Sequence, residues 1–302
     1  MNPASRSFHA RFIWTSLLEE LERRGVNYDF ALTHGLGDAT RLARKAARAG
    51  FETVVAVGGD GTINEVVNGL FDEEATISSA SMGVLYTGTS PDFCGCHRIP
   101  TDPEAAIGLL LSGQRRRVDV CRITHRSAIE GEPRNGIFSV CANFGLGAAV
   151  ARGSNCGLRK VWGDFLGTLL SIGAAVAGYK APDFLIRFGG REFTISKVYN
   201  IFVGKSSLVA SGIKLGLDIA PDDGKLYFLS VHGITRLRLF AILPAIYTGG
   251  IARLFPARFG SEIEIIEGGS SFEVEYDGDP QGVLPARITV LPRALEDRKS
   301  VV

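Results

Sequence analysis

The chain of 302 residues has almost no net charge: 33 Lys and Arg face 32 Asp and Glu, leaving +1 at pH 7. That excludes a whole-chain electrostatic footprint for nucleic acid. Cysteine is scarce as well. Five residues, an odd number, do not make the disulfide framework of a small secreted protein. The opening Met1-Asn2-Pro3-Ala4-Ser5-Arg6 lacks the apolar run of a signal peptide. No stretch supplies the ~20 apolar residues of a membrane-spanning helix. Phe165–Tyr179 is apolar over only 15 residues, with Asp164 before it, and reads as a core helix. Leu237–Phe255 is interrupted by Arg238, Pro244, Gly249-Gly250 and Arg253. With Arg236 and Arg258 at its flanks, it fits either the core or a helix lying on an anionic membrane surface. Internal repeats and low-complexity tracts are absent too.

Glycine is what the chain has in excess: 37 residues, against a usual share of ~7%. A hydrophobic content of 45% supports a real core, and the length suits two domains. In the first third, Leu17, Leu18 and Leu21 alternate with charges as an amphipathic helix ending at Gly25. Tyr28–Thr33 reads as a short strand and Asp38–Ala49 as a helix stopped by Gly50. Thr53–Val57 is a β-branched run of buried parallel-strand type, and Met82–Tyr86 is a second strand. Between them Thr62–Leu70 reads as a helix, with Thr62 and Glu65 as a capping box. Strands separated by helices predict an open, mainly parallel α/β sheet.

Beyond residue 117 the pattern becomes short strands divided by turns: Arg117–Thr124, Gly136–Asn143, Asp183–Phe188, Arg191–Ser196, Val198–Val203, Lys225–Val231, Glu262–Ile266 and Ser271–Tyr276. The expected organisation is an α/β domain over 1–122 and a mostly antiparallel domain over 123–285, with the boundary near 118–125.

One turn carries chemistry. Gly58-Gly59-Asp60-Gly61-Thr62 joins a buried strand to a helix, so glycine backbone can approach an anion at a helix N-terminus. It is neither a P-loop nor a dinucleotide G-x-G-x-x-G turn. Asp60 would repel polyphosphate unless it held a cation or a proton, and Mg²⁺ shared with substrate phosphates suits that role.

Val57–Gly69 resembles the signature of the diacylglycerol kinase catalytic family, which includes bacterial lipid kinases and, more distantly, sphingosine and ceramide kinases. Asn2-Pro3-Ala4-Ser5, Thr33–Ala39, Gly88–Phe93, Ala220–Leu226 and Asp277-Gly278-Asp279 are similar to further family segments in the same order. The resemblance implies an α/β domain plus a β-sandwich, with nucleotide in the cleft and residues 286–302 returning to the first domain. It implies transfer of the ATP γ-phosphoryl group to a diacylglycerol-like lipid hydroxyl, with ATP and Mg²⁺ as cofactors. Gly59, Gly61, Thr62 and Thr89 would hold phosphates, with Gly58, Glu65 and Gly88 in the same set. Asn2, Ser5 and Thr33 would border the nucleotide, and Asp60 and Asp92 would organise Mg²⁺. Asp279 matches the family's general-base glutamate. Asp223, with the carbonyls of Ala220 and Lys225, matches a second Mg²⁺ site; an ordinary Asp-Gly turn is the other reading. The protein is expected to be cytoplasmic and peripheral to the inner membrane face, where it meets its lipid; monomer and homodimer both stay open.

Three features depart from the family pattern. Ser90-Pro91 removes a side-chain amide and one backbone N–H, and Asp279 is a methylene shorter than Glu. Met1 directly precedes Asn2, where the family has an apolar strand; a start upstream of Met1 is the expectation, over a sheet without its first strand. Ceramide, sphingoid base or phosphatidylglycerol are alternative acceptors. NAD kinase, which shares the Gly-Gly-Asp-Gly turn, and a degenerate nucleotide- or lipid-binding protein are alternative functions. Cys94-Gly95-Cys96-His97 lacks metal-ligand spacing and a second Cys pair. Cys121, Cys141 and Cys156 read as reduced, and Gln114–Arg117 as a solvated basic run, with a lipid-phosphate contact as the other reading.

Overall fold

The computed structural model describes residues 1–3, 10–72, 76–77, 79–112, 114–147, 176, 178–209, 213–268 and 273–299. The chain begins with α1 (Ala10–Arg23), α2 (Asp38–Arg48), β1 (Thr53–Gly58), α3 (Asp60–Leu70), β2 (Ser81–Tyr86), α4 (Asp92–His97) and α5 (Pro103–Ser112). β1 and β2 are parallel, in register from Thr53 opposite Ser81 to Gly58 opposite Tyr86. They therefore end side by side, and the turns leaving them are held together, with the Thr87 amide donating to the Gly58 carbonyl at 2.9 Å. On one side Trp14 and Leu17 of α1 bury against Ala106, Ile107 and Leu110 of α5. α5 has a local cause in the sequence: Asp102 accepts from the Ala105 amide at 2.9 Å, and Pro103 takes the first helical position.

The expected strand at Tyr28–Thr33 does not form. Met1 and Asn2 lie between this segment and β1, through Met1 to the Ala31 carbonyl and Asn2 to the Val57 carbonyl. Phe30 and Leu32 of this segment are exposed. The expected capping box does not form either. α3 starts at Asp60 behind Gly59, so Thr62 lies inside the helix and no side chain caps its start.

The strands that follow are β3 (Gln114–Arg126), β4 (Pro133–Phe138), β5 (Cys141–Gly145), β6 (Phe184–Phe188), β7 (Arg191–Ile195), β8 (Val198–Gly204), β9 (Leu208–Val209), β10 (Ile213–Lys214) and β11 (Leu226–His232). Two helices, α6 (Arg236–Tyr247) and α7 (Ile251–Leu254), precede β12 (Arg258–Gly260), β13 (Glu262–Gly268), β14 (Glu273–Tyr276) and β15 (Asp279–Lys299). The main path runs β12-β11-β8-β5-β14-β15-β13-β6-β7 with antiparallel neighbours. It forms the antiparallel sandwich, whose core includes Phe138, Phe144, Phe184, Ile201, Phe228, Ile263 and Ile288.

The segment read as one strand over Gly136–Asn143 is two, broken at Ser139-Val140 because the backbone there turns to meet a buried carboxylate, Asp277. β15 joins the two halves. Its first part pairs with β13 and β3, while Leu295–Lys299 pair with Val118–Gln114, and Asp297 lies parallel to Met82 of β2. Phe165–Tyr179 falls almost wholly outside the described residues, as does Cys156. No helix among the described residues is long and apolar enough to cross a membrane.

Candidate active site

The two turns at the ends of β1 and β2 touch through glycine. A Cβ on Gly88 would stand 2.6 Å from the Gly59 Cα and 2.6 Å from the Tyr86 hydroxyl, so no side chain fits there. Glycine at both positions lets the two backbones meet directly. Asp60 and Asp92 are the first residues of α3 and α4. The Asp92 amide donates to Asp60 Oδ2 at 3.2 Å, while Asp60 Oδ1 is buried without a hydrogen-bond partner. Burial pushes the Asp60 carboxyl up to about 7, and the charges of Asp92 and Asp277 add to it against the amides of Asp92 and Phe93. An orphaned carboxylate oxygen beside a second buried carboxylate is a donor set that fits Mg²⁺, which takes one or two carboxylates and completes its shell with phosphate and water.

The Ser90-Pro91 departure costs the helix nothing. Pro91 is the N-cap of α4, and its carbonyl accepts from the Gly95 amide at 2.8 Å. A helix has no intrahelical use for an N–H at that position. Thr89 is exposed at the turn and Asp92 is buried.

Asn2 donates its side-chain amide to Thr62 Oγ1 at 2.9 Å, bringing two of the expected nucleotide residues together. Thr33 is buried and its amide bonds the Met1 carbonyl at 3.0 Å. Glu65 is committed elsewhere: its carboxylate accepts from the Gly37 amide at 3.0 Å and the Ala39 amide at 2.9 Å, capping α2 from outside. Any part it has at the nucleotide therefore runs through the turn over 33–38. Gly58 is the last residue of β1 and Gly61 the second of α3, on either side of Gly59 and Asp60. Ser5 lies outside the described residues.

A lock that sequence reading missed joins the two halves below this turn. Asp277 Oδ1 accepts from the amides of Val140 at 3.0 Å and Cys141 at 3.1 Å. Its Oδ2 accepts from the Ser139 amide at 3.0 Å and the Asn64 side chain at 2.8 Å. Burial raises the Asp277 carboxyl, opposed by these donors. Asn68, one turn beyond Asn64, exchanges hydrogen bonds with the backbone of Ile137 at 2.7 and 2.8 Å. Two asparagines spaced i,i+4 inside a helix are the local sign of such a contact, since asparagine is a poor interior residue there. Asp277 and Gly278 both have positive φ, 49° and 96°, in a two-residue Asp-Gly hairpin that starts β15 at Asp279. For Asp279 the structure describes the backbone.

Ala220, Asp223 and Lys225 do converge, around a lysine ammonium. Lys205 Nζ lies 2.9 Å from the Ala220 carbonyl, 2.6 Å from Asp223 Oδ1 and 2.7 Å from the Lys225 carbonyl. Those oxygens do not fit a metal while the ammonium stands among them. The Cys94–His97 segment is likewise no metal site: Cys96 bonds Ser206, and His97 lies 3.4 Å from buried Asp297. Among the described residues no cluster of three or more His, Cys, Asp or Glu is placed to hold a metal. The basic run is paired rather than simply solvated: Arg115 and Arg117 reach Glu296, and Arg116 reaches Asp222.

A family model described as the diacylglycerol kinase catalytic domain matches residues 1–123. One described as the YegS C-terminal NAD kinase beta sandwich-like domain matches residues 142–297. The chain is 31% identical over 202 residues to a Chromohalobacter salexigens protein named "Probable lipid kinase YegS-like", covering 67% of this chain and 61% of that protein's length. It is 26% identical over 296 residues to a Staphylococcus aureus protein named diacylglycerol kinase, covering 98% of this chain and 89% of that one. A solved structure described as a diacylglycerol kinase from Bacillus anthracis superposes with a TM-score of 0.75 at 19% identity, covering 99% of this chain and 95% of that one. That likeness extends the shared fold over both halves. The chain belongs to the diacylglycerol kinase catalytic family of transferases and carries its YegS-type C-terminal sandwich.

Proposed function

We propose that this protein is an ATP- and Mg²⁺-dependent lipid kinase that moves the γ-phosphoryl group of ATP onto the hydroxyl of a diacylglycerol-like lipid at a membrane surface. The observation that carries this reading is the Asp60–Asp92 pair, held at two abutting turns with one buried carboxylate oxygen unpartnered. Asp60 and Asp92 would hold Mg²⁺, which would supply neutralisation of phosphate charge. Backbone at Gly58, Gly59, Gly61 and Gly88, with Thr62 and Thr89, cradles the phosphates; Asn2, Ser5 and Thr33 border the rest of the nucleotide. Asp279 takes the proton of the lipid hydroxyl as oxygen attacks phosphorus and the bond to ADP breaks. The lock at Asp277 aims that hairpin toward α3. Wild-type protein with γ-labelled ATP and Mg²⁺ tests the proposal on diacylglycerol, phosphatidylglycerol, ceramide, a sphingoid base and NAD. Label on diacylglycerol is expected. Label on NAD, or on no acceptor, overturns it.

The membrane-facing surface we assign to α6 and α7, on the cytoplasmic side. Leu237 is 80% exposed, Phe240 and Leu254 are exposed too, and Arg238 and Arg253 are exposed on the same two helices, while Arg236, also exposed, donates to the Tyr179 carbonyl at 3.0 Å. Apolar tips among arginines suit a leaflet carrying anionic lipid, with each arginine contributing about 1 kcal/mol. Reversing both Arg236 and Arg238 to Glu is expected to weaken binding to phosphatidylserine-containing vesicles by about 30-fold or more, measured by co-sedimentation. Unchanged binding would move the surface elsewhere.

A further inference from the structure

We infer that Lys205 is a built-in cation doing the work of a loop-organising metal ion, and that its oxygen cage takes a divalent cation only once the ammonium is removed. Lys205 follows β8 and its side chain is 3% exposed. Its Nζ is surrounded by four oxygens from two directions. Ala220, Asp223 and Lys225 face it from the loop before β11, and Asp119 Oδ2 faces it from β3 at 2.9 Å, with a side chain wholly buried. An ammonium has three donors, and the two carbonyls and Asp223 accept them all. Asp119 then supplies the second negative charge. It is itself fixed by the Gly224 amide on Oδ2 and the Arg293 amide on Oδ1, both at 2.8 Å, and its own amide bonds the Pro221 carbonyl at 2.7 Å. Arg116 holds Asp222 of the same loop at 2.8 Å.

Two carboxylates and two carbonyls converging on one point are a hard-cation donor set. The separations, 2.6–2.9 Å, are those of charge-assisted N–H···O bonds rather than of Mg²⁺–O at ~2.0–2.1 Å or Ca²⁺–O at ~2.3–2.6 Å. Lys205 thus delivers a positive charge on a covalent tether, so the loop over 220–225 closes without a soluble ion. At Asp223 burial alone would raise the carboxyl, but the hydrogen bonds from Lys205 and the Lys225 amide, with the charges of both lysines, together hold it below the usual range.

The test uses the full chain without nucleotide and reads stability and metal binding. Wild type, Asp223→Asn, Lys205→Ala and Lys205→Ala/Asp223→Asn are melted in EDTA, then in millimolar Ca²⁺ or Mg²⁺, and titrated calorimetrically with Ca²⁺. Asp223→Asn is expected to leave unchanged any shift that either cation gives the wild-type melt, because such a shift belongs to Asp60 and Asp92. Lys205→Ala should melt several degrees lower in EDTA, recover in Ca²⁺ and bind one Ca²⁺ that the double variant does not. Should Lys205→Ala fold only when Ca²⁺ is present, that rescue is the same result. The inference is overturned if EDTA lowers the wild-type melting temperature and Asp223→Asn removes that effect. It is also overturned if Lys205→Ala neither binds nor is rescued by either cation. Because no arm reads phosphoryl transfer, these results stand apart from the proposed kinase activity.

Discussion

Asp60→Asn is expected to lower phosphoryl transfer by about 10³-fold and, in the ligand-free protein, to raise stability. Both effects come from one buried, unpartnered oxygen. The carboxyl sits at about 7 in the folded chain against an ordinary 3.8. Between those values the unfolded chain has released the proton and the folded chain still holds it, so stability falls as pH rises through this window and is level above it. An amide in the same place escapes the penalty. The variant should therefore match wild type near pH 4 and exceed it by roughly 2–4 kcal/mol at pH 8 in urea unfolding. The same proton competes with metal. Mg²⁺ affinity should fall about tenfold per pH unit below 7, and saturating Mg²⁺ with nucleotide should erase the variant's advantage. A variant no more stable at pH 8 than at pH 4, relative to wild type, would refute the burial assigned to Asp60.

Asp277→Ala is expected to cost about 3–5 kcal/mol, the scale on which buried charged partners matter. Its loss strands the amides of Ser139, Val140 and Cys141 and the side chain of Asn64 at the junction of the two halves. Asp277→Asn is expected to be nearly as damaging, because every partner is a donor and an amide nitrogen turned toward an N–H cannot replace an oxygen. Transfer activity should fall with it, since the hairpin leading to Asp279 loses its anchor. A urea midpoint shift equivalent to less than 1 kcal/mol for Asp277→Ala would show that the junction is held by packing instead.

The parts of the fold legible from sequence are those with local causes. The β-branched run of β1, stopped by Gly58-Gly59, specifies a strand-turn-helix by itself, and Asp60 inside that turn points to cation chemistry. Parallel pairing of β1 with β2 then brings Asp92 to Asp60, although they lie 32 positions apart. What resisted reading depends on distant partners. Tyr28–Thr33 has strand composition, yet its neighbours are Met1 and Asn2. Glu65 has the spacing of a capping residue but caps a different helix. Asp277 reaches Asn64 across 213 positions, and nothing around Lys205 in the chain announces that it will fill the site suggested for a metal. The oxygens of Ala220, Asp223 and Lys225 converge on the ammonium of Lys205, a residue outside that segment.

Transfer from ATP to a lipid through the Asp60 centre is expected to depend on metal. Its most direct test is single-turnover transfer of label from γ-labelled ATP to diacylglycerol in mixed micelles at pH 8, with wild type and Asp60→Asn compared in Mg²⁺ and in EDTA. Labelled phosphatidic acid is predicted from wild type in Mg²⁺ alone. Label that forms equally well with Asp60→Asn, or in EDTA, would contradict the account.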